Sequence, residues 1–85
     1  MGWQHLGTMN PVNAASIALA RQLARDGTAR QIRLEAGLSL YDVARDLHVA
    51  PSAVSRWETG QRVPRGETAA RYATLLAELM AVVTP

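Results

Sequence analysis

The segment from Leu40 to Thr59, LYDVARDLHVAPSAVSRWET, contains the pattern that decides the fold. Its apolar residues recur at helical spacing in two short blocks, and a turn of about four residues separates the blocks. Ser39 and Asp42 form a capping-box pattern at the start of the first block, and Pro51 begins the second. Two short helices that meet across a tight turn are therefore predicted. The side chains expected to pack inward are Val43, Ala44, Leu47, Val49, Val54 and Trp57.

The outward face of the second predicted helix carries short polar side chains and one arginine. Ser52, Ser55 and Thr59 are small, so this face can lie against the floor of the major groove of DNA without steric clash. Arg56 adds a planar guanidinium that suits the O6 and N7 atoms of guanine. This is the arrangement of a helix-turn-helix motif, in which the second helix reads the bases. A contact between Arg56 and a phosphate is the alternative interpretation.

Further helices are predicted before this segment. Asn10–Pro11 forms a helix start, and Gly27 is expected to end that helix. Thr28 and Gln31 have the spacing of a capping box for a second helix, which ends before Gly37. A single bent helix that runs through Gly27 is the alternative, because one interior glycine costs only about 1 kcal/mol.

After the segment, a loop leads to a long last helix. The loop runs from Gln61 to Gly66, and the apolar spacing predicts a helix from about Glu67 to Val83. No alternating run typical of a strand is present. The predicted fold is all-α with five helices. Residues 1–27 form an N-terminal extension and helix, and residues 28–85 form the helix-turn-helix domain.

The composition excludes several classes of protein. The chain has 85 residues and 48% hydrophobic content, which allows one compact domain. It has no cysteine, so disulfides, cysteine-bound zinc and thiol catalysis are excluded. Its net charge of +2 does not by itself demand an anionic partner, although all nine basic residues are arginine. Because neither a membrane span nor a secretory signal is readable, a cytoplasmic location is expected.

Catalysis is not predicted. Ser52, Ser55 and His48 are neighbours in the sequence, with Asp42 and Asp46 upstream. A Ser–His–Asp arrangement needs mutual hydrogen bonds in a pocket with an oxyanion hole, and nothing in the sequence supplies that pocket. Two histidines without cysteine also make a poor zinc site. No metal, cofactor or small-molecule ligand is therefore expected.

A longer set of residues surrounds the motif in a specific order and spacing. The set comprises Arg30, Ile32, Arg33, Gly37–Ser39, Val43, Ala44, Leu47, Val49, Val54–Glu58, Gly60, Arg62 and Pro64. In this order the residues resemble the Cro and phage-repressor type of helix-turn-helix domain, known as the XRE family. The similarity covers roughly Thr28 to Leu76. The resemblance implies a five-helix lambda-repressor-like fold with an extra N-terminal helix. It also implies a small phage or mobile-element repressor that binds double-stranded DNA and occludes an operator.

The resemblance also implies roles for individual residues. Arg33 and Glu58 match a partly buried ion pair that ties the first core helix to the end of the recognition helix. For Ser52, local capping of the helix start is an alternative to base reading, and for Arg62 and Arg65 the alternative is a solvated surface charge. The residues implied to read bases are Pro51, Ser52, Ser55 and Arg56. Those implied to contact the DNA backbone are Ser39, Thr59, Gln61, Arg62 and Arg65.

Three positions in the motif depart from the family pattern. His48 occupies a turn position where relatives usually have glycine, so a positive φ is expected there, which histidine tolerates. Leu40 replaces a polar residue that often anchors a phosphate, and Ser39 or the helix amides are the expected substitutes. Pro51 replaces a residue that often reads a base, and its ring offers only an apolar contact, for example with a thymine methyl group.

Repressors of this type bind two half-sites about one helical turn apart, so a two-fold homodimer is expected. The expected interface lies on the last helix, at Leu75, Leu79 and Val82, with the N-terminal helix as the second choice. A monomer on an asymmetric site is the alternative. A protein-interaction module, such as an antitoxin, is the alternative function, because the outer helices carry apolar side chains beyond the core stripe.

Overall fold

A computed structural model describes residues 14–83, which form five α-helices and no strand. The all-α prediction is confirmed, and the predicted helix start at Asn10–Pro11 lies outside the described residues. The helices are α1 (Ala14–Arg25), α2 (Thr28–Glu35), α3 (Leu40–Leu47), α4 (Pro51–Glu58) and α5 (Gly66–Val83).

One apolar core joins all five helices. α1 packs mainly against α5, and α3 packs mainly against α4. The helix from residue 14 belongs to this core, because Ala20 and Ala24 are buried in it. The rings of Trp57 in α4 and Tyr72 in α5 lie with their centroids 5.0 Å apart, a contact worth about 0.5–1.5 kcal/mol beyond burial. The core therefore fixes α4, the second helix of the motif, from the inside.

The predicted capping box at the start of α3 is confirmed. The Asp42 amide donates to the Ser39 hydroxyl at 3.1 Å, and the Ser39 amide donates to the Asp42 carboxylate at 2.8 Å. The hydrogen bond from the Ser39 backbone also lowers the pKa of the Asp42 carboxyl group below its usual value. These two bonds satisfy backbone donors that would otherwise have no partner in the helix.

The predicted capping box at Thr28 and Gln31 is wrong. Gly27 occupies the N-cap position of α2, so Thr28 is already inside the helix. Instead, the Asp26 carboxylate accepts a hydrogen bond from the Thr28 amide at 2.9 Å. The Gln31 side chain donates along the helix to Glu35, also at 2.9 Å. Gly27 nevertheless separates two helices as predicted, and the single bent helix is excluded.

The helices α2, α3 and α4 all end with a residue in the left-handed backbone conformation. These residues are Gly37 at φ 76°, His48 at φ 59° and Gly60 at φ 78°. Within residues 14–83, His48 is the one residue other than glycine with a positive φ, which confirms the prediction. In each case the next amide donates back to a helix carbonyl, as in a Schellman motif. The bonds join Leu38 to Arg33, Val49 to Ala44 and Gln61 to Arg56.

The described helices differ from membrane-spanning helices. Between residues 14 and 83, no helix is both long enough and apolar enough to cross a bilayer.

Candidate nucleic-acid interface

Helix α4 begins without a capping side chain. Pro51 stands at the first helical turn, where its missing amide hydrogen costs nothing, and it is half-buried. Ala50 is the N-cap residue in an extended conformation, and no side chain caps the helix. The alternative role of Ser52 as a capping residue is therefore wrong. Its hydroxyl lies on an exposed part of the helix.

The two faces of α4 differ in burial as well as in chemistry. On the inner face, Val54 is 0% and Trp57 is 6% exposed. On the outer face, Ser52 and Arg56 are exposed, and Ser55 is half-buried. Because the inner side chains fill the core, α4 cannot rotate to hide the outer ones without losing apolar burial. The helix thus leaves hydroxyls and one guanidinium at the surface.

A buried ion pair fixes the C-terminal end of α4. The Arg33 Nε atom lies 2.7 Å from one oxygen of Glu58, and an Arg33 terminal nitrogen lies 2.9 Å from the other. The second terminal nitrogen donates to the Leu38 carbonyl at 3.0 Å. The two side chains are only 9% and 5% exposed. Through these hydrogen bonds, Arg33 links α2 to the turn that precedes α3 and to the end of α4.

The electrostatics around this ion pair are consistent with its burial. The hydrogen bond to Glu58 raises the pKa of the Arg33 guanidinium above its usual value. Burial raises the pKa of the Tyr72 hydroxyl, and the negative charge of Glu58 raises it further. Tyr72 therefore stays neutral at physiological pH. Among the described residues, no buried side-chain nitrogen or oxygen atom lacks a hydrogen-bond partner.

The loop after α4 exposes several polar and basic side chains. The amides of Gln61 and Arg62 both donate to the Arg56 carbonyl, at 2.9 and 3.2 Å. These two hydrogen bonds to one carbonyl turn the chain away from the helix, and Pro64, further along the loop, is buried. The Thr59 hydroxyl donates back to the same carbonyl at 3.3 Å. The side chains predicted to contact the DNA backbone are all exposed, namely Ser39, Thr59, Gln61, Arg62 and Arg65.

A family model described as helix-turn-helix matches residues 30–78, which is more than half of the 85-residue chain. The chain belongs to the XRE-type helix-turn-helix family. It is accordingly a DNA-binding transcription regulator, and its partner is double-stranded DNA. Members of this family are generally not enzymes. No curated protein and no solved structure shows a significant match to the chain.

Two features of this helix-turn-helix protein were not anticipated from its sequence. Arg21 in α1 donates from Nε to the carbonyl of Pro64 at 2.9 Å, although 43 positions separate the two residues. No local pattern signals such a contact. Tyr41, in the first turn of α3, is 68% exposed. An aromatic residue two positions after the capping Ser39 was the available signal, because tyrosine is enriched at binding surfaces.

The departure at Leu40 has a structural reason. Leu40 is half-buried and packs against the core cluster, so it contributes to the domain interior. The adjacent Ser39 is exposed, but its hydroxyl already accepts the Asp42 amide. A hydroxyl has a second acceptor site and a donor, so this bond leaves Ser39 able to donate to a phosphate oxygen.

The side chains predicted for a dimer interface differ in exposure. Leu75 and Leu79 are half-buried and pack against the core, whereas Val82 is 73% exposed. Their spacing puts all three on one face of α5. A second apolar surface lies between α1 and α5, where a groove of about 310 Å³ is lined by residues that include Leu19 and Met80. Leu19 and Met80 are 53% and 40% exposed.

The histidine and several carboxylates near the motif share one surface depression. His48 and Asp46 line an open depression with Glu67, Arg71 and Glu78 on α5. In the described part of the chain, no group of three or more histidines and carboxylates is arranged to hold a metal ion.

Proposed function

We propose that this protein is a sequence-specific repressor that inserts α4 into the major groove of an operator and blocks the promoter by occupancy. The observation that carries the proposal is the exposure of Ser52 and Arg56 on a helix whose opposite face is anchored by Val54 and Trp57. A recognition helix needs this combination, because base contacts require both reach and a fixed orientation. The phage or mobile-element type is inferred from the resemblance to the Cro family alone.

Four residues of α4 are proposed to read bases. Arg56 forms the bidentate contact to guanine O6 and N7, since it is the long, exposed donor on this face. Ser52 and Ser55 donate to or accept from base edges or phosphate oxygens. Pro51 contributes an apolar contact with a thymine methyl group.

The backbone contacts are proposed to come from both sides of α4 in the sequence. Ser39 precedes the motif, and Thr59, Gln61, Arg62 and Arg65 follow it. Phosphate contacts set the register and orientation of the protein on the duplex without reading sequence. The exposed arginines supply charge, and the hydroxyl and amide groups supply uncharged donors. We add Tyr41 to this set, because its exposed phenol lies two residues after Ser39, in the first turn of α3.

Arg62→Ala is expected to weaken binding to all duplexes by a similar factor, because it removes one phosphate contact. The slope of log affinity against log salt concentration should become shallower by about one unit. Fluorescence anisotropy over a salt series measures both quantities. Arg71→Ala is the matched control, because Arg71 is an exposed arginine that pairs with Glu67 on α5 at 3.6 Å. If the salt slope of Arg62→Ala is unchanged, Arg62 does not contact a phosphate and is only a solvated surface charge.

A two-fold homodimer is proposed to hold two copies of α4 one helical turn apart. The stripe of Leu75, Leu79 and Val82 supports it, because Val82 is largely exposed and the two leucines are only half-buried. A self-complementary apolar stripe is suited to contact across a two-fold axis.

Val82→Asp is expected to convert the dimer to a monomer, because it places a charge within the proposed apolar contact. Sedimentation velocity gives the mass, and an unchanged melting temperature shows that the fold is retained. Leu79→Asp is a less clean test, since Leu79 also packs against the core. Met80→Asp is the matched control on the other side of α5, beside Leu19 in the groove. If only Met80→Asp yields a monomer, the groove is the interface.

The groove between α1 and α5 favours a second candidate function, in which the protein binds another protein. Exposed Leu19 and Met80 are the observation that supports it. Selection of bound sequences from a random duplex pool at physiological salt separates the two functions. A palindromic consensus would support the repressor and its dimer together. Enrichment of no sequence would contradict sequence-specific binding and favour the interaction module.

A further inference from the structure

The hydrogen bond between Arg21 and Pro64 connects a helix outside the family-matched region to a loop inside it. Arg21 lies in α1, outside the region that matches the helix-turn-helix family. Pro64 lies in the loop after the recognition helix, inside that region, and is buried. The Arg21 Nε atom donates to the Pro64 carbonyl at 2.9 Å in a partly buried setting. α1 therefore reaches the loop directly as well as through the core.

The bond from Arg21 holds the loop at a point between its two anchored ends. At one end of the loop, the amides of Gln61 and Arg62 are anchored to the last turn of α4. At the other end, the Arg65 carbonyl accepts from the Ala69 amide in the first turn of α5. Proline has no amide hydrogen, so Pro64 cannot anchor itself as a donor. Within residues 14–83, the bond from Arg21 is the one that holds the loop between its two ends.

The residues on either side of Pro64 explain why this bond affects DNA binding. Arg62 and Arg65 are both exposed, and both are proposed above to contact phosphates. A loop that is free to move must be ordered when DNA binds, and that ordering reduces affinity. A loop that is already held presents its arginines at lower entropic cost.

We propose that Arg21 is a positioning residue for DNA binding, which holds Pro64 so that Arg62 and Arg65 face the phosphate backbone. The inference rests on the proposed backbone contacts of these two arginines. It assigns to α1 a role in binding that the matched family region does not contain.

The test measures the affinity of Arg21→Met for a fluorescein-labelled random-sequence duplex of about 20 base pairs, long enough for two half-sites. Methionine keeps an unbranched stem and removes the donor. Affinity is expected to fall about 3- to 10-fold, the effect of one hydrogen bond. Arg25→Met is the matched control, because Arg25 is an exposed arginine of the same helix. It removes the same charge and is expected to weaken binding about twofold or less.

The decisive arm repeats Arg21→Met in a background that carries Arg62→Ala and Arg65→Ala. If Arg21 acts through these arginines, its replacement has no further effect there. A loss that persists in this background, or an equal loss in Arg25→Met, would overturn the proposal in favour of a direct or purely electrostatic contact. If the double alanine background itself binds as tightly as wild type, the proposed backbone contacts fail and the inference fails with them. If only Arg21→Met is without effect, the inference alone fails.

A second measurement separates positioning from general destabilisation. Amide hydrogen exchange of Arg21→Met should accelerate at Arg62, whose amide is bonded to the Arg56 carbonyl, and remain unchanged at Val54 in the core. Uniform acceleration would show that Arg21 is a structural residue only. If Arg21→Met fails to fold, Arg21→Gln replaces it. Glutamine is polar but too short to reach the Pro64 carbonyl in the same way, so the same changes in hydrogen exchange are expected.

Discussion

Glu58→Ala is expected to lower the free energy of unfolding by about 3–5 kcal/mol, because it leaves the buried guanidinium of Arg33 without its counter-charge. The Arg33 side chain is 9% exposed, so water cannot readily replace the two lost hydrogen bonds. In a domain of this size, the melting temperature should fall by at least about 12 °C. Since small domains are stable by only about 5–15 kcal/mol, the variant will be close to its unfolding limit. Thermal and urea unfolding followed by circular dichroism measure the change.

The control for this prediction is Glu67→Ala. Glu67 pairs with Arg71 at 3.6 Å, but their side chains are 82% and 48% exposed. Breaking this pair should change stability by less than about 0.5 kcal/mol. Replacing both Arg33 and Glu58 by leucine should restore much of the stability lost in Glu58→Ala, since no unpaired charge then remains. Equal melting temperatures for Glu58→Ala and Glu67→Ala would contradict the structural role of the buried pair.

Arg56→Ala is expected to abolish preference for the selected operator at one base pair. Loss of a bidentate contact with guanine is worth about 1–3 kcal/mol, which corresponds to roughly 5- to 150-fold in affinity. Binding to a random duplex should change little beyond the effect of one lost charge. Because Arg56 is exposed, the melting temperature should be unaffected. Competition anisotropy with operator and random duplexes measures the ratio.

Arg56→Lys provides the matched control for charge. Lysine keeps the positive charge but lacks the planar pair of donors, so it should retain affinity for the random duplex and lose most of the discrimination. Equal losses on operator and random DNA for Arg56→Ala would instead identify a phosphate contact. Ser55 or Ser52 would then have to carry the base reading.

The parts of the fold that the sequence predicts correctly depend on short-range interactions. The Ser39–Asp42 capping box joins residues three positions apart. The positive φ of His48 follows from the same local logic, because a helix that ends in a tight turn needs a left-handed residue there. The inward positions of Val54 and Trp57 follow from helical spacing alone.

The parts that the sequence does not predict depend on distance or on competition between residues. Arg21 and Pro64 are 43 positions apart, and neither residue type signals the other. The ion pair of Arg33 and Glu58 was anticipated only through the resemblance, since 25 positions separate them. At the start of α2, the spacing of Thr28 and Gln31 fits a capping box, but the Asp26 carboxylate accepts the hydrogen bond from the Thr28 amide instead. Sequence spacing alone does not decide which of several nearby polar side chains caps a given helix.

The left-handed residues that close α2, α3 and α4 also bear on the order in which the chain folds. Each closure needs only a hydrogen bond between residues five positions apart, such as Ala44 and Val49. Closing so short a loop takes about 10–100 ns, well before distant segments meet. α1 and α5, by contrast, pack together from opposite ends of the described chain. We therefore expect nucleation at the central reversals, with the outer helices docking in the final, slower step.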